Sequence, residues 1–231
     1  MDQPVKTPRP YHSPKHAAMR RATRQSVIAA AGRLFSERGY AGSSIEAIAG
    51  AAGVAVPTVY AAFGNKRSIL LAMLAASVDE AEVDEAEPKS RFDDATALLD
   101  EITDGVAERL REQAAGVSDP ATRVRKIMRL NVSILAQTAV VRRVIRGAAA
   151  MEPEIQSLLD EIYHHVYVSC QTAACLAIGA TSNDARTRRL TDVIFAFTSS
   201  DLFDLLTGQR GWSVAEYEHW AIQTVTAALP A

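Results

Sequence analysis

The sequence predicts an all-α fold, with a small three-helix module at the N-terminus and a larger helical body behind it. Three observations carry this expectation. Apolar residues recur at helical spacing along most of the chain. No run of alternating β-branched residues bounded by turn signals is present, so no sheet is expected. Charge is divided unevenly: up to Arg67 there are ten Lys/Arg against three Asp/Glu, whereas the remainder has 15 basic and 24 acidic residues. A basic module on an acidic body is an electrostatic footprint for a polyanion.

The elements follow in order. Residues 1–19 read as a disordered basic arm, with Pro4, Pro8, Pro10 and Pro14 among Lys6, Arg9 and Lys15. A helix is expected from Arg20, with Val27, Ala31, Leu34 and Phe35 on one face, ending at Gly39. Ser43 and Glu46 have capping-box spacing for a second helix that stops near Ala52-Gly53. A third short helix runs from about Ala55 to Ala62, broken by Phe63-Gly64. Asn65 can cap a fourth, whose apolar face is Ile69, Leu70, Met73 and Leu74. In the body, helix starts are expected around Phe92, after Pro120, at Ala139, after Pro153, after Asn183 and after Ser213. This divides the chain into an arm (1–19), a module (20–81) and a body (82–231).

Several function classes are excluded by composition and spacing. With 231 residues, 48% hydrophobic and 23% charged, the chain resembles an ordinary globular protein. No apolar run approaches the ~18 residues of a membrane span, and the N-terminus lacks the apolar stretch of a secretory signal. Cys170 and Cys175 would point ~140° apart on a helix, so neither a disulfide nor a shared metal is expected. Two unpaired thiols suit a cytoplasmic protein. His164 and His165 diverge by ~100° and do not chelate together. No phosphate loop, metal-ligand spacing or nucleophile with a nearby base is found, so no catalysis, cofactor or metal is expected. Asp201 and Asp204 share a helix face but are weak candidates for acid–base work.

Two short helices joined by a glycine turn, after a longer one, form a helix-turn-helix arrangement. Val56, Pro57 and Ala61 would be exposed on the third helix, whose first residues meet base edges in the major groove. Thr58 and Tyr60 offer hydroxyls to phosphates. Lys66 lies on the first turn of the fourth helix, where free N–H groups already favour an anion. Arg20, Arg21 and Arg24 are placed to reach phosphates or a minor groove.

The stretch Ala31–Tyr40, then Ser43–Ala49, Ala52–Phe63 and Lys66, resembles the DNA-binding domain of the TetR family of bacterial repressors. Phe197-Thr198-Ser199 through Arg210-Gly211-Trp212-Ser213 to Tyr217-Glu218 is similar to the end of many members. The resemblance implies a homodimer on a near-palindromic double-stranded operator, with a small-molecule effector in the body. It implies phosphate contacts from Ser44, Thr58, Tyr60 and Lys66, and base reading by Val56 and Pro57. Ala55 stands where the family usually has serine and cannot cap, at a cost of about 1 kcal/mol. The recognition surface is short and apolar, able to meet thymine methyls but lacking an Arg or Gln for a bidentate purine contact.

Met128, Asn131 and Leu135, with Tyr167 and Phe195, read either as the lining of a small-ligand pocket or as plain core. Leu158, Ile162 and Val166, and Val193 and Phe197 on the next helix, read either as a dimer interface or as the interior of a monomer. Arg142, Arg143 and Arg146 read either as surface charges or, with one turned inward, as a holder for an anionic effector; the surface is expected, because a buried unpaired charge is costly. The function expected is a DNA-binding regulator, a repressor released by a small, mainly apolar effector. The alternative is a helix-turn-helix factor with no effector.

Overall fold

The computed structural model describes residues 14–78, 92–181 and 184–229, and every regular element among them is helical. Helix α1 spans Pro14–Arg38, starting six residues before the expected Arg20. The rest of the expected arm lies outside the described residues. Gly39, at φ 73°, ends α1 in the left-handed conformation that glycine adopts without strain.

Helix α2 is Ile45–Ala52, and its cap corrects the expected capping box by one residue. Ser44, not Ser43, receives the Ala47 N–H on its side chain, at 3.2 Å. Ser43 is fully buried and donates instead to the Gly39 carbonyl, 2.8 Å away. One hydroxyl therefore closes the end of α1 and the next opens α2. Helix α3, Val56–Phe63, has no side-chain cap at Ala55 and carries Pro57 in its first turn, as expected. Helix α4, Lys66–Val78, is capped by Asn65, whose Oδ1 accepts from the Ser68 N–H at 2.8 Å.

Helix α5 is Ala95–Ala114, capped by Asp94 rather than starting at Phe92. Phe92 is instead a buried ring 6.2 Å from Phe63. Helix α6 runs unbroken over Pro120–Ala149, so the expected start at Ala139 is not realised. Nothing there interrupts a helix: Thr138 returns its hydroxyl to the Ile134 carbonyl at 2.8 Å, and Ala139 is a good helix former. Helix α7 is Pro153–Ile178, ended by Gly179 at φ 68°. Helix α8, Ala185–Phe197, stops short of the continuous helix to 207 that its apolar pattern suggests. The Thr198 hydroxyl donates to the Ile194 and Phe195 carbonyls, a local bond that competes with continuation. After the break come α9, Ser200–Phe203, a π-helical turn at Asp204–Gln209, and α10, Val214–Ala227.

Two apolar clusters organise these helices. One contains Val27, Phe35, Ile48 and Val59 of the module, and continues through α4 into Leu98 of α5, Ile145 of α6 and Leu158 of α7. The other fills the body around Ile127, Met128, Ala173, Ile194 and Tyr217. Helix α4 is buried on nearly every face and joins them. The expected boundary at 81/82 falls outside the described residues.

Candidate nucleic-acid interface and internal cavity

Helices α2 and α3 meet at 106°, within the range of helix-turn-helix pairs. Gly53 supplies the turn at φ 68°. Ile45, Ile48, Ala49, Val59 and Phe63 face inward, which leaves the opposite side of α3 to solvent. Pro57, Thr58 and Ala61 are exposed there, and Tyr60 is 47% exposed, unusual for so large a ring. Ser44 is exposed at the start of α2. These four polar or small positions and Ser44 share one accessible surface of the module.

Three expected contact residues are placed differently. Val56 is half-buried against the module core, so its side chain supports α3 more than it projects from it. Arg24 is half-buried, with Nη2 donating to the Ala62 carbonyl at 3.4 Å and the guanidinium 5.9 Å from the Phe63 ring centre. It braces the end of α3 from α1. Lys66 points back to the turn between α1 and α2: Nζ donates to the Tyr40 carbonyl at 2.9 Å and sits 4.1 Å from the Tyr40 ring centre. Its short reach to Tyr40 fixes the loop that carries Ser44. Burial, then the Glu154 and Glu152 carboxylates, push the Tyr40 hydroxyl up to about 12, so that ring stays neutral.

The body encloses a cavity of about 70 Å³ between α4, α5, α6 and α7. Its walls include Leu74 and Val78 of α4, Leu99 and Ile102 of α5, Ile134 and Leu135 of α6, and Val166 of α7. Polar atoms interrupt this wall at Thr103, Asn131, Arg142, His165, Ser169, Cys170 and Thr198. Thr103 Oγ1 and His165 Nδ1 are 3.1 Å apart. Burial pushes the Cys170 thiol up to about 11, against a hydrogen bond with Thr198 that lowers it, so it is a neutral wall group.

Of the expected pocket residues, Asn131 and Leu135 line this cavity. Met128 is fully buried core beside it. Tyr167 and Phe195 do not line it. They pack edge to face at 5.4 Å between α7 and α8, with the Tyr167 hydroxyl donating to Asp192 at 3.2 Å. Helical drift explains the miss, because Tyr167 follows the lining residue Val166 by one position and so points ~100° away. Of the expected interface residues, Leu158 and Ile162 are buried within the chain, and Ile162 and Val166 line the cavity. Phe197 is buried against Trp220, with ring centres 4.7 Å apart. Val193, like Val166, is half-buried, and it lies beside exposed Asp192 and Ala196 on the outer face of α8.

The arginines of α6 also divide. Arg143 pairs with Asp204 at 2.7 Å, and Arg146 pairs with Asp204, Ser200 and, at 3.2 Å, Asp201. Asp201 and Asp204 are thereby structural anions. Arg142 instead turns into the cavity wall, contrary to the surface position expected of it. Its Nε is buried with no hydrogen-bond partner, as is Asn131 Nδ2. Sequence pattern alone could have flagged it, since Arg142 lies eleven residues from Asn131 and so within about 20° of the same helix face.

Among the described residues no group of three His, Cys, Asp or Glu side chains is arranged to hold a metal, and no single helix is long and apolar enough to cross a membrane. A helix-turn-helix module on an all-helical body defines a class, the helical DNA-binding regulators. Residues 27–73, the helix-turn-helix module with the start of α4, match the family described as bacterial regulatory proteins, tetR family. A comparison with curated proteins finds no match.

Solved structures share the fold. The fatty acid degradation regulator FadR from Bacillus halodurans superposes with a TM-score of 0.61 at 17% identity, covering 88% of this chain and 94% of that one. FadR from Bacillus subtilis, in complex with stearoyl-CoA, gives 0.60 at 17% identity over 89% and 99%. The multidrug binding protein EbrR, complexed with imidazole, gives 0.50 at 18% identity over 98% of each chain.

Proposed function

We propose that the chain is a dimeric cytoplasmic repressor that leaves its near-palindromic operator when a small, mainly apolar molecule occupies the body cavity. The observation that carries the reading is the position of α4. The same helix begins beside Tyr40 of the DNA-binding module and ends with Leu74 and Val78 in the cavity wall. It is held at both ends, by Arg67–Glu154 at 3.6 Å and by Arg109 donating to the Val78 carbonyl at 3.2 Å. A ligand that displaces the wall therefore tilts the module.

On DNA, Ser44, Thr58 and Tyr60 contact phosphates, and Pro57 and Ala61 enter the major groove. Lys66, Arg24 and Val56 hold that surface in shape. Two modules in a dimer must match half-sites about 34 Å apart, or a multiple of it, so a small tilt breaks the match. An effector acts only through its preference for the released conformation. A typical coupling of about 1–3 kcal/mol changes affinity roughly 5- to 150-fold. The stearoyl-CoA complex of the Bacillus subtilis relative supports a largely apolar ligand.

The test is selection of bound DNA from a random pool by the full chain, followed by titration of the selected site with fractionated small-molecule extract. The expected result is a near-palindrome whose binding one fraction weakens, with operator weakening that fraction's binding by the same factor. Selection of a site that no fraction releases would favour the regulator without an effector.

A further inference from the structure

We propose that Arg142 is the anchor for a carboxylate, so that the effector is a monoanionic acid with an apolar body lying along the cavity. The proposal rests on the effector reading above and specifies the chemistry of that ligand.

The first observation is a charge that has no counter-ion among the described residues. Arg142 lies between the main cavity and a smaller one of about 10 Å³ bounded by Ile145, Tyr163 and Ser200. The groups that face it are Arg146 on its own helix, Cys170 and Tyr163 on α7, and the hydroxyls of Thr198 and Ser200. Arg146 repels it, while Cys170 and Tyr163 are held neutral by burial. Meanwhile Asp201 and Asp204 are taken by Arg143 and Arg146, one residue and about one turn further along α6. The side chain is half-buried with its Nε fully buried and unpartnered among the described residues; such a cation is costly, and a guanidinium fork matches a carboxylate bidentately.

The second observation is the shape of the site. Asn131 Nδ2 is a second buried donor without a partner on the same wall. Eleven residues of helix place it about 16 Å from Arg142 along the α6 axis. Between them the wall is Ile134, Leu135, Leu99, Ile102 and Val166. The site thus asks for an acid at one end, an apolar body, and a hydrogen-bond acceptor at the other. One cation balances one negative charge, which favours a carboxylate over a phosphate dianion. The present cavity is far smaller than the roughly 300–1,000 Å³ of most ligand sites, so the ligand enters by pushing the α4 wall outward.

The experiment is calorimetric titration of the full-length chain with decanoate, 1-decanol, decyl phosphate and 10-hydroxydecanoate, in wild type and in Arg142→Gln, Arg142→Lys and Asn131→Leu. Wild type should prefer decanoate to decanol by about tenfold or more, as a charge-assisted pair allows. Arg142→Gln should erase that preference, and Arg142→Lys should keep part of it. The terminal hydroxyl should tighten binding in wild type but not in Asn131→Leu. Thermal melts of unliganded protein separate a site from a structural role: Arg142→Gln should melt no lower than wild type, because it removes an unpaired charge.

Equal binding of decanoate and decanol, absence of decanoate binding, tighter binding of decyl phosphate, or a clearly lower melting temperature for Arg142→Gln would each overturn the proposal. Operator release is read separately. Arg142-dependent decanoate binding without release keeps the site and removes the effector role. Release by another compound, insensitive to Arg142, does the reverse.

Discussion

Lys66→Met removes an ammonium while keeping an apolar stem, and the structure allows its cost to be worked out. Two interactions disappear: the hydrogen bond to the Tyr40 carbonyl at 2.9 Å and the contact with the Tyr40 ring at 4.1 Å. A hydrogen bond to a charged group is worth about 1.5–3 kcal/mol, and a cation–π contact at an exposed site about 0.5–1 kcal/mol. Lys66 is only half-buried, and water screens the charge and rehydrates the carbonyl, so about 1–2 kcal/mol is expected. Urea unfolding followed by tryptophan fluorescence reads this directly. Because the lost contacts hold the turn before Ser44, operator affinity should fall by about 5- to 30-fold if the same free energy is needed to order the turn. The loss should be alike for all sequences. The decisive quantity is the salt dependence of binding by anisotropy. A lysine acting through the turn leaves the slope of log K against log salt unchanged, whereas losing a direct phosphate contact lowers it by about 0.9. A slope reduced by that amount, with stability intact, refutes the positioning role and restores a phosphate contact.

Three further outcomes are expected. Tyr217→Phe leaves the Phe197 carbonyl without its 2.8 Å donor in a fully buried site, so stability should drop by about 1–3 kcal/mol, read as a lower melting temperature; an unchanged melt would show that the carbonyl finds another donor. Ala196→Asp adds a charge to the outer face of α8 without touching the core, and light scattering should show the proposed dimer for wild type and monomers for the variant; persistent dimers would place the interface elsewhere. Burial pushes the Asp204 carboxyl up, but Arg143 and Arg146 more than offset this and hold it below the usual range. Its contribution is therefore full above the ordinary aspartate value of about 3.9 and is lost as pH falls through the lower folded value. Asp204→Asn should be the less stable protein at pH 7, with the gap to wild type closing below about pH 4; a constant gap would contradict the assignment.

The module was legible in the sequence because its signals are local. Gly39, Gly53, Gly64 and Asn65 punctuate helices by their own conformations, and the period of Val27, Ala31, Leu34 and Phe35 marks a single face. The one slip there, Ser43 for Ser44, is a register error between adjacent hydroxyls that share a motif. The body was less legible, because there apolar spacing says that a face is buried but not against what. Leu158, Ile162 and Val166 carry a stripe that suits a partner helix or the chain's own interior equally well, and the structure turns it inward. Arg142 was assigned to the surface for a related reason. The rule that charges stay outside holds for Arg143, and fails one residue earlier where a cavity interrupts the packing.

The burial of α4 on almost all sides also limits how this protein can be recombined. Leu70 and Leu71 are fully buried on a helix that packs against α1 and α3 of the module and α5 and α6 of the body. A cut after α3 would strip the module of its floor, and a cut after α4 would expose a greasy helix tuned to the neighbours it has lost. A chimera that grafts this module onto another body therefore has to bring along the matching parts of α5 and α6. By the same logic, the proposed DNA preference is altered more readily by changing Pro57, Thr58 or Ala61 in place than by exchanging the module.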